Sequence, residues 1–229
     1  MANLKRLARD IEHLVAPEMK DLGIYYSFND ANMRKGQALI FGPKGTPYED
    51  IPLIFSVEIP TEYPFQSPKV LIMTSDASTR FHPNLYIEGK VCLSILGTYT
   101  GPKWVSTMNV ATIFKSIVSL LNENPITNEP GWETYTLEDP RAKAYAEWVE
   151  FNLLKHVVHE YRKFRSGGQQ ETLWEPFRDV FDSVFNSRWV EICKRIQEKA
   201  ALGVVNYANI PYGMRGTADW PRLLAEAVA

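Results

Sequence analysis

One cysteine stands in a segment whose residue types suit acyl chemistry. The stretch runs Phe81-His82-Pro83-Asn84-Leu85-Tyr86-Ile87-Glu88-Gly89-Lys90-Val91-Cys92-Leu93-Ser94-Ile95-Leu96, and Trp104 follows shortly. A thiolate attacks an acyl carbon and holds it as a thioester, which divides one difficult transfer into two easier ones. Asn84 precedes the thiol by eight residues. Its amide can donate to the oxyanion of a tetrahedral intermediate or fix the loop that does. Asn also suits turns, so a purely structural role stays open. His82 reads as structural support, because a neutral imidazole can lock a flap by hydrogen bonds. A cysteine is ordinarily a small buried hydrophobe. That reading stands for Cys193, which falls inside an apolar helical stripe.

The elements that must position this segment are legible from periodicity. Leu4, Leu7, Ile11 and Leu14 fall on one stripe, which predicts an amphipathic helix over 3–16 with Lys5, Arg6 and Arg9 facing water. Short β-branched and aromatic runs predict strands at Ile24–Phe28, Gln37–Phe41, Leu53–Ile59 and Lys69–Met73. Turn residues separate them at Asn29-Asp30, Gly42-Pro43-Lys44-Gly45 and Ile51-Pro52, the pattern of an antiparallel meander. Beyond the cysteine a helix is expected over Val110–Leu121 with Asn109 as its N-cap, stopped by Asn124-Pro125. Another is expected over Glu138–Phe164, broken once. Ser166-Gly167-Gly168-Gln169-Gln170 reads as a linker. Trp174, Phe177, Phe181, Val184, Phe185, Trp189, Ile192 and Ile196 then form an apolar stripe along one more helix, and the tail after Gly203 carries no firm pattern. Helix, meander, then helices is an α+β layout.

Composition sets the function classes aside or keeps them. With 45% apolar and 23% charged residues, the 229-residue chain can bury an ordinary core. A formal net charge of −2 gives no case for nucleic acid or an acidic membrane surface. The first residues lack the apolar run of a secretory leader, and no apolar stretch approaches a bilayer span. Two cysteines, Cys92 and Cys193, favour a reducing setting, cytoplasmic or nuclear, although a disulfide between them stays open on count alone. No metal site is expected: the nearest to a ligand spacing, His156 and His159, reads better as polar helix positions.

The cysteine segment resembles the active-site segment of ubiquitin-conjugating enzymes. Tyr63-Pro64-Phe65-x-x-Pro68 is similar to that family's loop between its third and fourth strands, and Trp104 to its tryptophan after the cysteine. Asn124-Pro125 and Glu129-Pro130 are similar to its loop beside the catalytic groove. The likeness covers roughly residues 3–165 and implies the family fold: N-terminal helix, four-stranded meander, cysteine segment and helices. Gly89–Gly101 and Asn128-Glu129-Pro130-Gly131 resemble the Z-like branch, whose members carry a long helical C-terminal extension, here 166–229. The chain departs from the common pattern at Ser94, where most members have Asp, and at Val105-Ser106-Thr107, where many have Ser-Pro-Ala.

The resemblance implies that Cys92 carries ubiquitin or a ubiquitin-like modifier as a thioester and passes it to a substrate lysine, usually with a ligase. Glu129 is the candidate to orient the acceptor lysine, and Ser94 would add a polar edge. Lys5, Arg6 and Arg9 would meet an activating enzyme; Pro64 and Phe65 would meet a ligase. No cofactor is implied, since ATP is used by the upstream activating enzyme. The extension would select the activating enzyme or the modifier, or mediate self-association. Two other readings remain: a non-catalytic module of the same fold, and a cysteine hydrolase with His82 as base.

Overall fold

The computed structural model describes residues 2–29, 31–166 and 172–229. Asp30 of the first turn and Gly167–Gln170 of the linker lie outside the described residues. Helix α1 spans Ala2–Leu14 and α2 spans Pro17–Asp21. The sequence reading ran α1 on to 16. It stops sooner because Ala16 precedes Pro17 and takes an extended conformation, φ −66° and ψ 154°. Pro17 then opens α2, a short helix the sequence reading lacked. Leu7, Ile11 and Leu14 are buried as the stripe predicts, but Leu4 is 50% exposed.

Strands β1 (Ile24–Asn29), β2 (Asn32–Phe41), β3 (Pro52–Glu58) and β4 (Lys69–Ile72) form one antiparallel sheet in sequence order. Strand β2 begins five residues earlier than Gln37, the start read from the sequence. Its first half is polar and water-facing, so apolar alternation missed it. The ladder itself holds that half, with Gly36 opposite both Phe28 and Val57, and Lys35 opposite Glu58. After β4 the chain forms only isolated bridges and a 3-10 turn at Ser94–Leu96 until α3 (Val110–Leu120). Asn109 caps α3: its Oδ1 accepts from the Thr112 amide at 3.0 Å, and the Thr112 hydroxyl answers the Asn109 amide at 3.5 Å. A 3-10 turn at Pro125–Asn128 leads toward α4 (Pro140–Ser166), which runs unbroken. No Gly or Pro falls inside it after Pro140.

The extension is a continuation of the same core. Trp174, Phe177, Phe181, Phe185, Ile192 and Ile196 are buried, as the stripe predicts, but the helix carrying them is not uniform. A 3-10 turn (Glu175–Phe177) passes into α5 (Arg178–Val180), a π-helical stretch (Phe181–Phe185) and α6 (Asn186–Ala200). The steps Phe177–Phe181–Phe185–Trp189 are four residues each, and each drifts by about 40° on a 3.6-residue helix. The wider π turn takes up part of that drift. The unassigned tail forms a two-stranded hairpin, β5 (Val204–Tyr207) and β6 (Gly216–Asp219), and then α7 (Trp220–Val228). The hairpin lies so close to α4 that a Cβ on Gly216 would sit 2.4 Å from the Trp148 ring.

His82 anchors the cysteine segment to this body. It is fully buried. The Asn84 amide donates to Nδ1 at 2.9 Å, so Nδ1 carries no proton, and Nε2–H donates to the Leu120 carbonyl at 3.0 Å. Burial, partly offset by the Leu120 carbonyl, pulls the imidazole pKa from the ordinary 6.5 to about 3. An unfolded chain would take up that proton near pH 6.5, the folded chain only near 3. The unfolded state binds more protons across this window, so the contribution of His82 to stability is intact above about pH 6.5 and is lost as pH falls toward 3. The slope for one proton is about 1.4 kcal/mol per pH unit at its steepest. Urea unfolding of the parent and His82→Gln between pH 7 and pH 4 should give a shallower pH slope for the variant. Equal slopes would show that His82 is not the group resisting the proton.

Candidate active site

The cysteine segment folds back on itself through pairs of backbone bonds. Leu85 bridges Val91, and the Tyr86 amide reaches the Lys90 carbonyl at 2.9 Å. Gly89 makes the reversal at φ +96°, a conformation suited to glycine, and its carbonyl accepts from the Ile72 amide at 2.8 Å. This docks the fold-back on β4. It also sets Asn84 beside Cys92. The Cys92 amide donates to the Asn84 carbonyl at 2.8 Å, and Asn84 Nδ2 donates to the Cys92 carbonyl at 2.9 Å. In this arrangement the side-chain amide of Asn84 braces the loop, and its Oδ1 is buried without a protein partner.

Cys92 is 4% exposed, and its cover is thin. The Sγ–H points to the Thr98 carbonyl at 3.5 Å, and Thr98 belongs to the exposed run Gly97–Lys103. The Thr98 hydroxyl accepts from the Leu93 amide at 3.0 Å and faces the carbonyls of Val91 at 2.6 Å and Leu93 at 3.1 Å. This one side chain therefore ties the loop to both flanks of the cysteine. Sequence reading did not single it out. Ser94, half-buried, opens the 3-10 turn, and a Cβ on Gly101 would meet its side chain at 3.0 Å. Cys92 and Cys193 are both free thiols, so the structure forms no disulfide between them.

Glu129 ends the turn Pro125–Asn128. That turn is joined to the cysteine flap through one atom: the Leu120 carbonyl accepts from His82 and also, at 3.4 Å, from Asn128 Nδ2. The Glu129 carboxylate accepts from the Tyr212 hydroxyl at 2.5 Å, and Tyr212 comes from the extension. Arg80, another residue the sequence reading missed, holds the other side. Its guanidinium donates to the Pro83 carbonyl and lies 3.4 Å from the centre of the Tyr86 ring. The only sequence signal for it is its place just before Phe81-His82.

The remaining candidates lie on two further surfaces. Lys5 and Arg9 are exposed on α1. Arg6 does not join them, contrary to expectation. It donates to Asp10 at 2.7 Å and to the Met108 carbonyl at 2.9 Å, which fastens α1 to the approach of α3. Asp10 is buried, so its charge draws in the cation one turn away, and the Tyr63 hydroxyl donates to the same carboxylate. That anchors the loop in which the Pro64 carbonyl accepts from the Trp104 indole at 2.7 Å. With Tyr63 and Pro64 held, Phe65 stands 76% exposed.

Comparison with known proteins agrees with this layout. Residues 6–150 match the family model of the ubiquitin-conjugating enzyme. The chain is 44% identical over 183 residues to ubiquitin-conjugating enzyme E2 Z of Homo sapiens, covering 80% of this chain and 49% of that protein. It is 46% identical over 204 residues to the Danio rerio protein of that name, covering 88% of this chain and 60% of that one. The chain thus spans about half the length of the curated relatives it matches. A solved Plasmodium yoelii structure named for a ubiquitin conjugating enzyme superposes with a TM-score of 0.51 at 22% identity, over 66% of this chain and 92% of that one, a likeness of fold. On the breadth of the family match, and with the sheet, cysteine flap and helices in the order that family requires, the chain belongs to the ubiquitin-conjugating enzyme family.

Proposed function

We propose that this protein carries ubiquitin or a ubiquitin-like modifier on Cys92 and passes it to a lysine amine. The observation that supports this most directly is the reciprocal pairing of Asn84 and Cys92 in a chain of this family. In loading, the Cys92 thiolate attacks the carbonyl carbon of the modifier's C-terminus, a new C–S bond forms, and the activating enzyme's thiolate leaves. In transfer, an amine attacks that carbon, the C–S bond breaks, Cys92 regains its thiolate and one proton goes to water. The enzyme's task is then to hold the thioester and orient the amine. Asn84 holds the loop at the reacting carbon, and His82 holds Asn84. Ser94 lines the cysteine edge, and Glu129 faces the incoming amine. The Gly97–Gly101 loop has to give for a modifier's tail to reach the sulfur. The cysteine needs no bound cofactor, since ATP is consumed upstream, and a cytoplasmic or nuclear setting keeps the thiol reduced.

We assign Lys5 and Arg9 to the activating enzyme and Phe65, with Pro64, to a ligase. An exposed aromatic on a rigidly held loop fits a hot spot. The extension's role in choosing a modifier or activating enzyme belongs to the same proposal.

Cys92→Ser, mixed with ATP, an activating enzyme and ubiquitin, should hold ubiquitin as an oxyester that survives thiol reductant, and should build no isopeptide bonds. Isopeptide formation at the parent rate would remove Cys92 as carrier. Lys5→Glu with Arg9→Glu should slow loading, most at low salt, and leave discharge of a preformed thioester unchanged. Unchanged loading in a salt titration would clear this face of that role. Phe65→Ala should cut ligase-stimulated discharge about tenfold or more while unassisted discharge to free lysine stays at the parent rate. Full ligase stimulation in the variant would place the ligase elsewhere.

A further inference from the structure

The extension reaches the catalytic side of the family core through one short segment, Ile210–Met214, between β5 and β6. The Met214 sulfur accepts from the Arg80 amide at 3.4 Å, and the Ile210 amide donates to the Met214 carbonyl at 3.2 Å. Tyr212 stands at the turn with φ +65°, a conformation a bulky side chain takes up only when its surroundings demand it. Those surroundings are on the rim of the cysteine site. The Tyr212 ring lies 4.8 Å from the Arg80 guanidinium, which also meets Tyr86, and packs edge-on against Tyr145 at 5.7 Å. Its hydroxyl ends on Glu129. Burial and the neighbouring carboxylate both push the phenol pKa well up, so the group stays protonated and stays a donor. The hairpin behind it is fixed on α4: Tyr207 donates to Glu147 at 3.0 Å, and Gly216 touches Trp148.

We propose that Tyr212 is a positioning residue for amine attack, supplied by the extension to the family core. Its hydroxyl holds one oxygen of the Glu129 carboxylate and leaves the other free for the acceptor. Its ring adds a second aromatic contact to Arg80, whose guanidinium holds the Pro83 carbonyl. A carboxylate fixed at one oxygen meets an ammonium in a narrower range of geometries than a free-swinging one. The ammonium gives one proton to water, Glu129 accepts a hydrogen bond from the resulting amine, nitrogen bonds to the thioester carbon and loses its second proton to water, and the Cys92 thiolate leaves. The proposal rests on the carrier reading of Cys92.

The test uses the full chain, loaded with ubiquitin at Cys92, with activation then stopped. Discharge is followed with free lysine, a charged acceptor, and with hydroxylamine, which is neutral at pH 7 and needs no carboxylate. Tyr212→Phe keeps the ring on Arg80 and removes only the hydroxyl. It should load and melt like the parent and discharge to hydroxylamine at the parent rate. Discharge to lysine should fall about tenfold, as expected for losing one hydrogen bond to a charged group. Glu129→Gln should fall similarly, and the double variant should fall no further, because the two groups act as one unit. Parent-like lysine discharge in Tyr212→Phe would overturn the proposal, as would an additive double variant. Faster discharge would overturn it in favour of a latch that keeps Glu129 from substrate. A parent that takes no ubiquitin onto Cys92 from any activating enzyme would sink the carrier reading itself, a separate failure read before any lysine is added.

Discussion

The cysteine segment has almost no regular secondary structure, yet much of it is buried. Its backbone groups must therefore be satisfied one at a time, and each partner is also a constraint on position. The Asn84 amide and carbonyl are both committed, to His82 and to Cys92. The Phe81 carbonyl takes the Tyr48 hydroxyl at 2.7 Å, and the Arg80 carbonyl takes the Tyr145 hydroxyl at 2.8 Å. Thr98 serves three backbone groups around the cysteine. A helix or strand would meet these needs with its own ladder. Here side chains from the β2–β3 loop, α4 and the fold-back itself meet them, so the thiol's place is set by contacts drawn from several parts of the fold.

That distribution also ties the two sides of the site together. The Leu120 carbonyl ends α3 and receives both His82 and Asn128. Any displacement of that carbonyl is felt by the Asn84 flap and by the turn bearing Glu129. A second tie, from Arg80 through Tyr212 to Glu129, closes the loop on the outer side. The first tie lies within the family core, and the second crosses from the extension. The rim is thus a ring of contacts with one member drawn from outside the segment matched by the family.

Most of the site's scaffold was legible in the sequence for a physical reason. Cys92, Asn84 and His82 are close in sequence, and a fold-back of a dozen residues leaves few ways to arrange them. Helices α1 and α3 had a clear stripe or cap, whereas the helix read at Glu138–Phe164 was expected to break once and runs unbroken. The polar half of β2 was missed because backbone pairing, which leaves no mark on side-chain type, holds it. Arg6 was misread because a cation at a water-facing helical position looks the same whether or not a buried acid waits one turn away. Asp10 in the same helix was the available clue. Tyr212 lies more than eighty residues from Glu129, and no local pattern announces so distant a pairing. The π turn at Phe181–Phe185 leaves a trace, the run of four-residue steps, but an ordinary helix tolerates the same residues.

The way the extension sits has a consequence for what the shorter family segment would be like by itself. Phe41 stacks on Phe185 at 6.0 Å, Phe151 meets Trp220 at 4.9 Å, Phe164 meets Phe181 at 5.3 Å, and Trp148 lies against Tyr207 at 5.7 Å. Asp50, nearly buried, has Arg188 for its counter-ion. Stripped of residues 172–229, the remainder would turn four large aromatic faces and an orphaned carboxylate toward water. Such a surface favours clumping over solubility. The extension is therefore a coat for those faces of the family segment.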